Sequence, residues 1–145
     1  MERKHARDVM TRNPNCVSET DNVSDAARIM KSSDTGVVPV VEGKKVIGLI
    51  TDRDIIVRGL AEGKDLGNCK VNDLMTRKVQ SVREDTPVDE VLDLMSRGEV
   101  RRLPVVDAND DLVGIVSIGD ISKGTNQDNK VGKAIENISQ APPNH

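Results

Sequence analysis

Gly48-Leu49-Ile50-Thr51-Asp52-Arg53-Asp54-Ile55 and Gly114-Ile115-Val116-Ser117-Ile118-Gly119-Asp120-Ile121 are two versions of one pattern. At an offset of 66 residues Gly48 meets Gly114, Asp54 meets Asp120 and Ile55 meets Ile121, while Thr51 meets Ser117 and keeps a hydroxyl there. Each stretch reads as an apolar strand that runs into a helix start. A hydroxyl residue followed three positions later by an acid suits a helix cap.

Working outward, residues 9–41 overlay residues 74–106 at an offset of 65. Met10-Thr11-Arg12 matches Met75-Thr76-Arg77, Val17 matches Val82, Glu19 matches Glu84, and Pro39-Val40-Val41 matches Pro104-Val105-Val106. One residue is then inserted in the second copy. A self-similar period of this length means a repeated structural unit.

The pattern persists where identity fails. Val23, Ala26, Ala27 and Met30 fall at i, i+3, i+4 and i+7, as do Val88, Val91, Leu92 and Met95. Each set predicts a short helix with one apolar face. Asp21 and Thr86 are the expected N-caps, Pro87 suits the first helical position, and the helices should end near Ser33 and Gly98. A proline-containing β-branched run follows each helix, Val37–Val41 and Leu103–Val106, then a polar turn, then Val46–Ile50 or Leu112–Val116. Two apolar runs across a short polar turn predict a β-hairpin. Each copy is therefore β-α-β-β-α and the fold class is α+β. Two copies related by a pseudo-two-fold axis can bury their apolar faces.

The expected layout is repeat one at 6–62, a linker at 63–72, repeat two at 73–127, and a helix and tail at 128–145, with the helix expected from Asp128 to Ser139. Met10, Met30, Met75 and Met95 recur at matched positions and read as core filling.

Composition removes several functions. The 145 residues are 36% hydrophobic and 31% charged, as in an ordinary globular protein. No apolar run approaches the roughly 20 residues that span a bilayer, and the charged start leads into no signal-like apolar segment. The expectation is a cytoplasmic protein without a membrane partner. A formal net charge of -3 argues against nucleic acid held by a broad basic surface. Phe, Tyr and Trp are absent, so bases cannot stack on aromatic rings. Cys16 and Cys69 form no CxxC, and His5 and His145 lie near opposite ends, so no zinc site is expected. No nucleophile and base can be assembled, so no enzyme activity is expected.

The two Gly48 and Gly114 stretches, Arg101-Arg102-Leu103-Pro104-Val105-Val106 and the opening Ala6-Arg7-Asp8-Val9-Met10-Thr11 together resemble the cystathionine-β-synthase-type (CBS) repeat family. The likeness covers residues 6 to about 123 and is to stand-alone bacterial tandem pairs, the Bateman-type module. It implies a regulatory protein with no obligatory cofactor. Such pairs bind AMP, ADP, ATP, S-adenosylmethionine or a related adenosyl ligand in two clefts between the repeats, assemble as disk-like homodimers and act on a regulated protein whose identity the sequence leaves open. The alternative is a ligand-free structural or dimerisation scaffold.

The chemistry of the candidate residues suits a nucleotide. Thr51 with Asp54, and Ser117 with Asp120, place a hydroxyl and a carboxylate at a helix start, where free N–H groups favour phosphate. A carboxylate can accept both ribose hydroxyls. A plain helix cap explains the same residues, and the two roles are compatible. Arg101 and Arg102 suit phosphate, whereas the first copy has Gly36 and Val37 there, so the two sites cannot be alike. Arg53 could reach phosphate or pair with Asp52 or Asp54. The resemblance implies crosswise sites. Site one joins Thr51, Arg53 and Asp54 to Val79, Gln80 and Ser81. Site two joins Ser117 and Asp120 to Asn15, Cys16, Val17, Val38 and Pro39. Leu103 and Pro104 are the matched positions of the second copy. Backbone groups of these strands would read the adenine edge while valines pack on its faces.

Overall fold

A computed structural model describes residues 4–77 and 79–124. The expected helix between Asp128 and Ser139 lies outside those residues. In chain order the elements are α1 (Ala6–Val9), β1 (Thr11–Arg12), α2 (Val23–Ser32), β2 (Val37–Glu42), β3 (Lys45–Thr51) and α3 (Asp52–Asp54). A π-helical segment Ile55–Leu60 and a 3-10 turn Leu66–Asn68 follow. Then come α4 (Val71–Leu74), β4 (Thr76–Arg77), β5 (Val82–Arg83), α5 (Val88–Gly98), β6 (Arg102–Val106), β7 (Leu112–Ser117) and α6 (Ile118–Gly124).

The chain divides into two compact units, Pro14–Val79, and Met1–Asn13 with Gln80–His145. These spatial units cut the chain differently from the sequence repeats: the segment that opens each repeat belongs to the unit built from the body of the other. In the first unit the sheet order is β2-β3-β4, with Val17 bridging Val40 in parallel beside β2. In the second unit the order is β1-β7-β6-β5, and β5 lies parallel to β6. Both sheets therefore consist of a short parallel strand, an antiparallel hairpin and a short strand from the opening segment of the other repeat.

The same hydrogen bonds recur at the repeat offset. Ala6 N–H donates to the Thr86 carbonyl and Val71 N–H to the Asp21 carbonyl, both at 2.8 Å. Arg7 N–H reaches Glu84 and Asn72 N–H reaches Glu19, both at 3.0 Å. Val88 N–H meets the Lys4 carbonyl at 2.9 Å, and Val23 N–H meets that of Cys69 at 3.0 Å. The last two bonds occupy the first amides of α2 and α5, which otherwise lack partners.

That arrangement moves the expected N-caps by one residue, to Asn22 and Pro87. Asp21 instead accepts from Ser18 N–H, and Thr86 accepts from Arg83 N–H, so each closes the turn before its helix. Pro87 has no side-chain oxygen to cap with. It tolerates the position because Lys4 satisfies Val88.

Each unit has its own core. One gathers Val17, Val23, Ala26, Val38, Val40, Ile50, Cys69, Val71, Leu74 and Met75. The other gathers Ala6, Val82, Val88, Val91, Leu92, Met95, Leu103, Val105, Val116, Ile118 and Ile121. The opening segments supply Ala6 to one core and Val71, Leu74 and Met75 to the other. Met10 and Met30 pack at the margins as filling. All four stripe residues of α5 are buried, but Ala27 of α2 is exposed, and Ile29 covers part of that core instead.

Both hairpins carry a bulge at the matched place, between Val40 and Val41 and between Val105 and Val106. The inserted residue of the second copy lengthens the hairpin loop. The first loop turns through Gly43, whose φ of +64° suits glycine. In the second, the Asp107 carboxylate accepts from Asn109 and Asp111 N–H at 2.8 and 3.0 Å. Among the described residues no helix is long and apolar enough to cross a membrane.

Candidate functional site

The end of each hairpin delivers its hydroxyl residue to a helix start. Thr51 faces Val37 across β2–β3, and Ser117 faces Arg102 across β6–β7. Both form reciprocal caps. Asp54 N–H donates to Thr51 Oγ1 at 3.0 Å while Thr51 N–H donates to Asp54 Oδ2 at 3.0 Å. Asp120 N–H donates to Ser117 Oγ at 3.1 Å while Ser117 N–H donates to Asp120 Oδ2 at 3.2 Å. Each helix start is held further by the residue just before the hairpin: Asp52 N–H reaches the Gly36 carbonyl at 3.0 Å, and Ile118 N–H reaches that of Arg101 at 3.1 Å.

The carboxylates then differ. Asp54 is buried at 4% exposure, and Asp120 is half-buried. Thr76 Oγ1 donates towards both Asp54 oxygens, at 3.3 and 3.4 Å, and Arg58 Nε lies 3.7 Å from Oδ1. Arg58 also donates to the Met75 carbonyl at 3.2 Å, so it ties the π-helical segment to the residue just before β4. At the matched positions stand Thr11, which makes no bond to Asp120, and Gly124, which has no side chain to offer.

Arg53 pairs with neither Asp52 nor Asp54. Its backbone N–H meets Asp52 Oδ1 at 2.8 Å, and its Nε is buried without a partner among the described residues. The cation on Asp54 is Arg58, one helical turn on. Its spacing of four from Asp54 was the sequence signal for it. Thr76, 22 residues away, had no local signal beyond its place in the repeat.

Thr51, Arg53, Asp54 and Val79 lie in one unit, Gln80 and Ser81 in the other. Ser117 and Asp120 lie in the unit of Arg101, Arg102, Leu103 and Pro104; Asn15, Cys16, Val17, Val38 and Pro39 lie with Thr51. Arg101 is exposed and Arg102 half-buried at the start of β6. Asn15 is exposed and its amide donates to Ser33 Oγ at 3.2 Å. Gln80 is exposed, Val79 and Ser81 are half-buried, and Pro39 and Pro104 are buried.

The candidate strand side chains are placed unequally: Val79 is half-buried, while others face the cores. Val17, Val38 and Leu103 are 3%, 0% and 3% exposed, and their side chains belong to the two cores. Val17 also spends both backbone groups on β2, donating to Pro39 and accepting from Val41. Alternation along a strand left open which face each valine would take, and the core claimed it.

Cys16 is half-buried and donates its thiol to the Pro14 carbonyl at 3.2 Å; burial pushes that thiol up from its ordinary range. Cys69 is a buried free thiol of the core. Among the described residues no group of three or more His, Cys, Asp or Glu side chains is placed to hold a metal.

The CBS domain model matches the chain twice, at residues 6–60 and 71–124. The chain belongs to the CBS-domain family. Its two CBS repeats account for the paired caps and hairpins, and the mixed helix and strand architecture is that of a Bateman module. The chain is 41% identical to YlbB of Bacillus subtilis (strain 168) over 136 residues, which cover 92% of this chain and 90% of YlbB. Among solved structures it is similar to the CBS domain pair of MJ0100 in complex with 5′-methylthioadenosine and S-adenosyl-L-methionine, with a TM-score of 0.75 and 32% identity. That alignment covers 84% of this chain and 95% of the other. It is also similar to CBSX2 in complex with AMP, with a TM-score of 0.70 and 28% identity over 82% and 93% of the two chains.

Proposed function

We propose that this CBS pair is a ligand-responsive regulatory module that binds AMP, ADP, ATP or a related adenosyl compound. The observation that carries the reading is the doubled hydroxyl-and-carboxylate cap, in a chain whose structural neighbours hold AMP, 5′-methylthioadenosine and S-adenosylmethionine. What those ligands share is adenine and a ribose-derived diol, and a carboxylate is the natural acceptor for a diol. Arg101 and Arg102 beside the second cap supply charge for a phosphate or, in its absence, cost little as solvated groups.

The residue sets implied by the family belong to the proposal: Thr51, Arg53 and Asp54 with Val79, Gln80 and Ser81, and Ser117 and Asp120 with Asn15, Cys16, Val17, Val38 and Pro39. With the Val17 and Val38 side chains in a core, specificity for adenine rests on main-chain groups near Cys16 and Ser81 and on the half-buried Val79. The exposed side chains of Ile56, Val57 and Leu60, at 56%, 39% and 62%, support a homodimer. The module acts on a separate protein in the cytoplasm and is not an enzyme.

A ligand-free scaffold is the second reading. It is favoured by the caps themselves, because each hydroxyl and carboxylate already satisfies a helix start. A dye-based thermal shift against AMP, ADP, ATP, S-adenosylmethionine and NAD separates the two. A ligand at about 100 times its dissociation constant adds about 2.7 kcal/mol, a shift of several degrees. No shift from any of them at millimolar concentration leaves the scaffold.

A further inference from the structure

The repeat places two like carboxylates at like helix starts, yet their surroundings differ in occupancy, charge and backbone. Asp54 has its oxygens occupied: Thr51 N–H, Thr76 Oγ1 and Arg58 Nε all approach it, and its side chain is 5% exposed. Among the described residues the Asp120 carboxylate accepts from Ser117 N–H alone, and Asp120 is half-buried. A diol must find free lone pairs on one carboxylate. At Asp54 it would have to displace the Thr76 hydroxyl and part the carboxylate from Arg58 in a buried setting, where stripped polar groups are costly.

The second difference is charge. The first helix start carries Asp52, whose carboxylate lies beside Gly36; a Cβ there would come within 2.9 Å of Asp52 Oδ2. The matched residue after Ser117 is Ile118, and the match to Gly36 is Arg101, followed by Arg102. The first cap thus carries Asp52 together with Arg53, whereas the second has Arg101 and Arg102 beside it and no acid at the position after Ser117. The third difference is the backbone. Ile55–Leu60 is π-helical, and Ala61 N–H bonds the Ile56 carbonyl at 2.8 Å. This segment bears the Arg58 that bridges Asp54 to the Met75 carbonyl. The contrary feature is Arg53, a cation inside the first cap, but it leaves the occupancy of Asp54 unchanged.

We infer that Thr76 and Arg58 form an internal latch on Asp54, so that each chain takes up one adenosyl ligand, at Asp120, while the Asp54 cap is structural. This inference rests on the adenosyl-binding reading above. It makes the two halves of the repeat divide the work: one holds the fold and the other senses.

The test is calorimetric titration of the full chain with AMP and, separately, with S-adenosylmethionine. The expected result is one ligand per chain and a loss of about tenfold or more in affinity for Asp120→Ala. Opening the latch with Thr76→Val and Arg58→Ala together should add a second, weaker binding event. Two ligands per wild-type chain, or binding that survives Asp120→Ala and is lost in Asp54→Asn, overturns the latch and leaves the adenosyl reading intact. No binding of either probe, with no thermal shift from any of the five compounds, overturns that reading and the latch together. If Asp120→Ala does not fold, Asp120→Asn replaces it, with the same loss expected because the charge that strengthens both hydrogen bonds is gone.

Discussion

Gly48 in β3 stands so close to Thr76 in β4 that a Cβ on residue 48 would overlap the Thr76 carbonyl oxygen and the Met75 side chain. Gly114 stands in the same way against Thr11 and Met10. The repeated glycine is thus the seat of the short strand that each unit takes from the opening of the other repeat. Gly48→Ala should cost about 1–3 kcal/mol, as overpacking against backbone does. Gly114→Ala should cost less, since the Thr11 carbonyl oxygen stands farther off, at 2.8 Å, and the half-buried Met10 can move. Urea unfolding checks both, and an unchanged midpoint for Gly48→Ala would remove the close approach from the account.

The two cap acids should separate in stability before any ligand is added. Asp54→Ala strands the Thr76 hydroxyl and removes a cap, which should cost about 2–3 kcal/mol. Asp120→Ala loses a half-buried cap and should cost about 1 kcal/mol. Equal losses in chemical denaturation would contradict the unequal burial of these groups.

How much of this was legible beforehand follows from the range of each interaction. The hairpins, the amphipathic stripe of Val88, Val91, Leu92 and Met95, and the Thr51–Asp54 and Ser117–Asp120 caps are set by neighbours within a few residues. Spacing displays them. The placing of Ala6 with Thr86 and of Val71 with Asp21 was not legible, because each bond spans tens of residues and leaves no local trace. That same bonding shifted the N-caps from Asp21 and Thr86 to Asn22 and Pro87. The latch on Asp54 was half visible: Arg58 stands at the helical spacing, but Thr76 is brought in by the sheet. Which strand valines face the core was also decided by the assembled unit, which buries the side chains of Val17 and Val38.

Cys16 gives a pH test. Burial favours its neutral thiol, so its pKa rises and the thiolate is scarcer than in a free cysteine at pH 7–8. Alkylation by iodoacetamide should be slow there and climb at higher pH than for a small free thiol. Cys69, buried in the core, should react only on unfolding. A Cys16 rate at pH 7.5 that matches a free thiol would contradict the burial.

If a carboxylate accepts both ribose hydroxyls, removing one of them should be felt. 2′-Deoxy-AMP should bind about tenfold or more weakly than AMP, since a hydrogen bond to a charged group is worth about 1.5–3 kcal/mol. Competition against AMP measures this. Equal affinities would take the diol away from the carboxylate.

The most direct test of the central claim is equilibrium dialysis of the full chain with radiolabelled AMP and with radiolabelled S-adenosylmethionine, each competed by unlabelled adenosine and guanosine monophosphates. The account predicts saturable uptake of at least one of the two, displaced by the adenosine compound and not by the guanosine one. The absence of saturable uptake of either up to millimolar concentration would contradict it and leave this CBS pair as a scaffold.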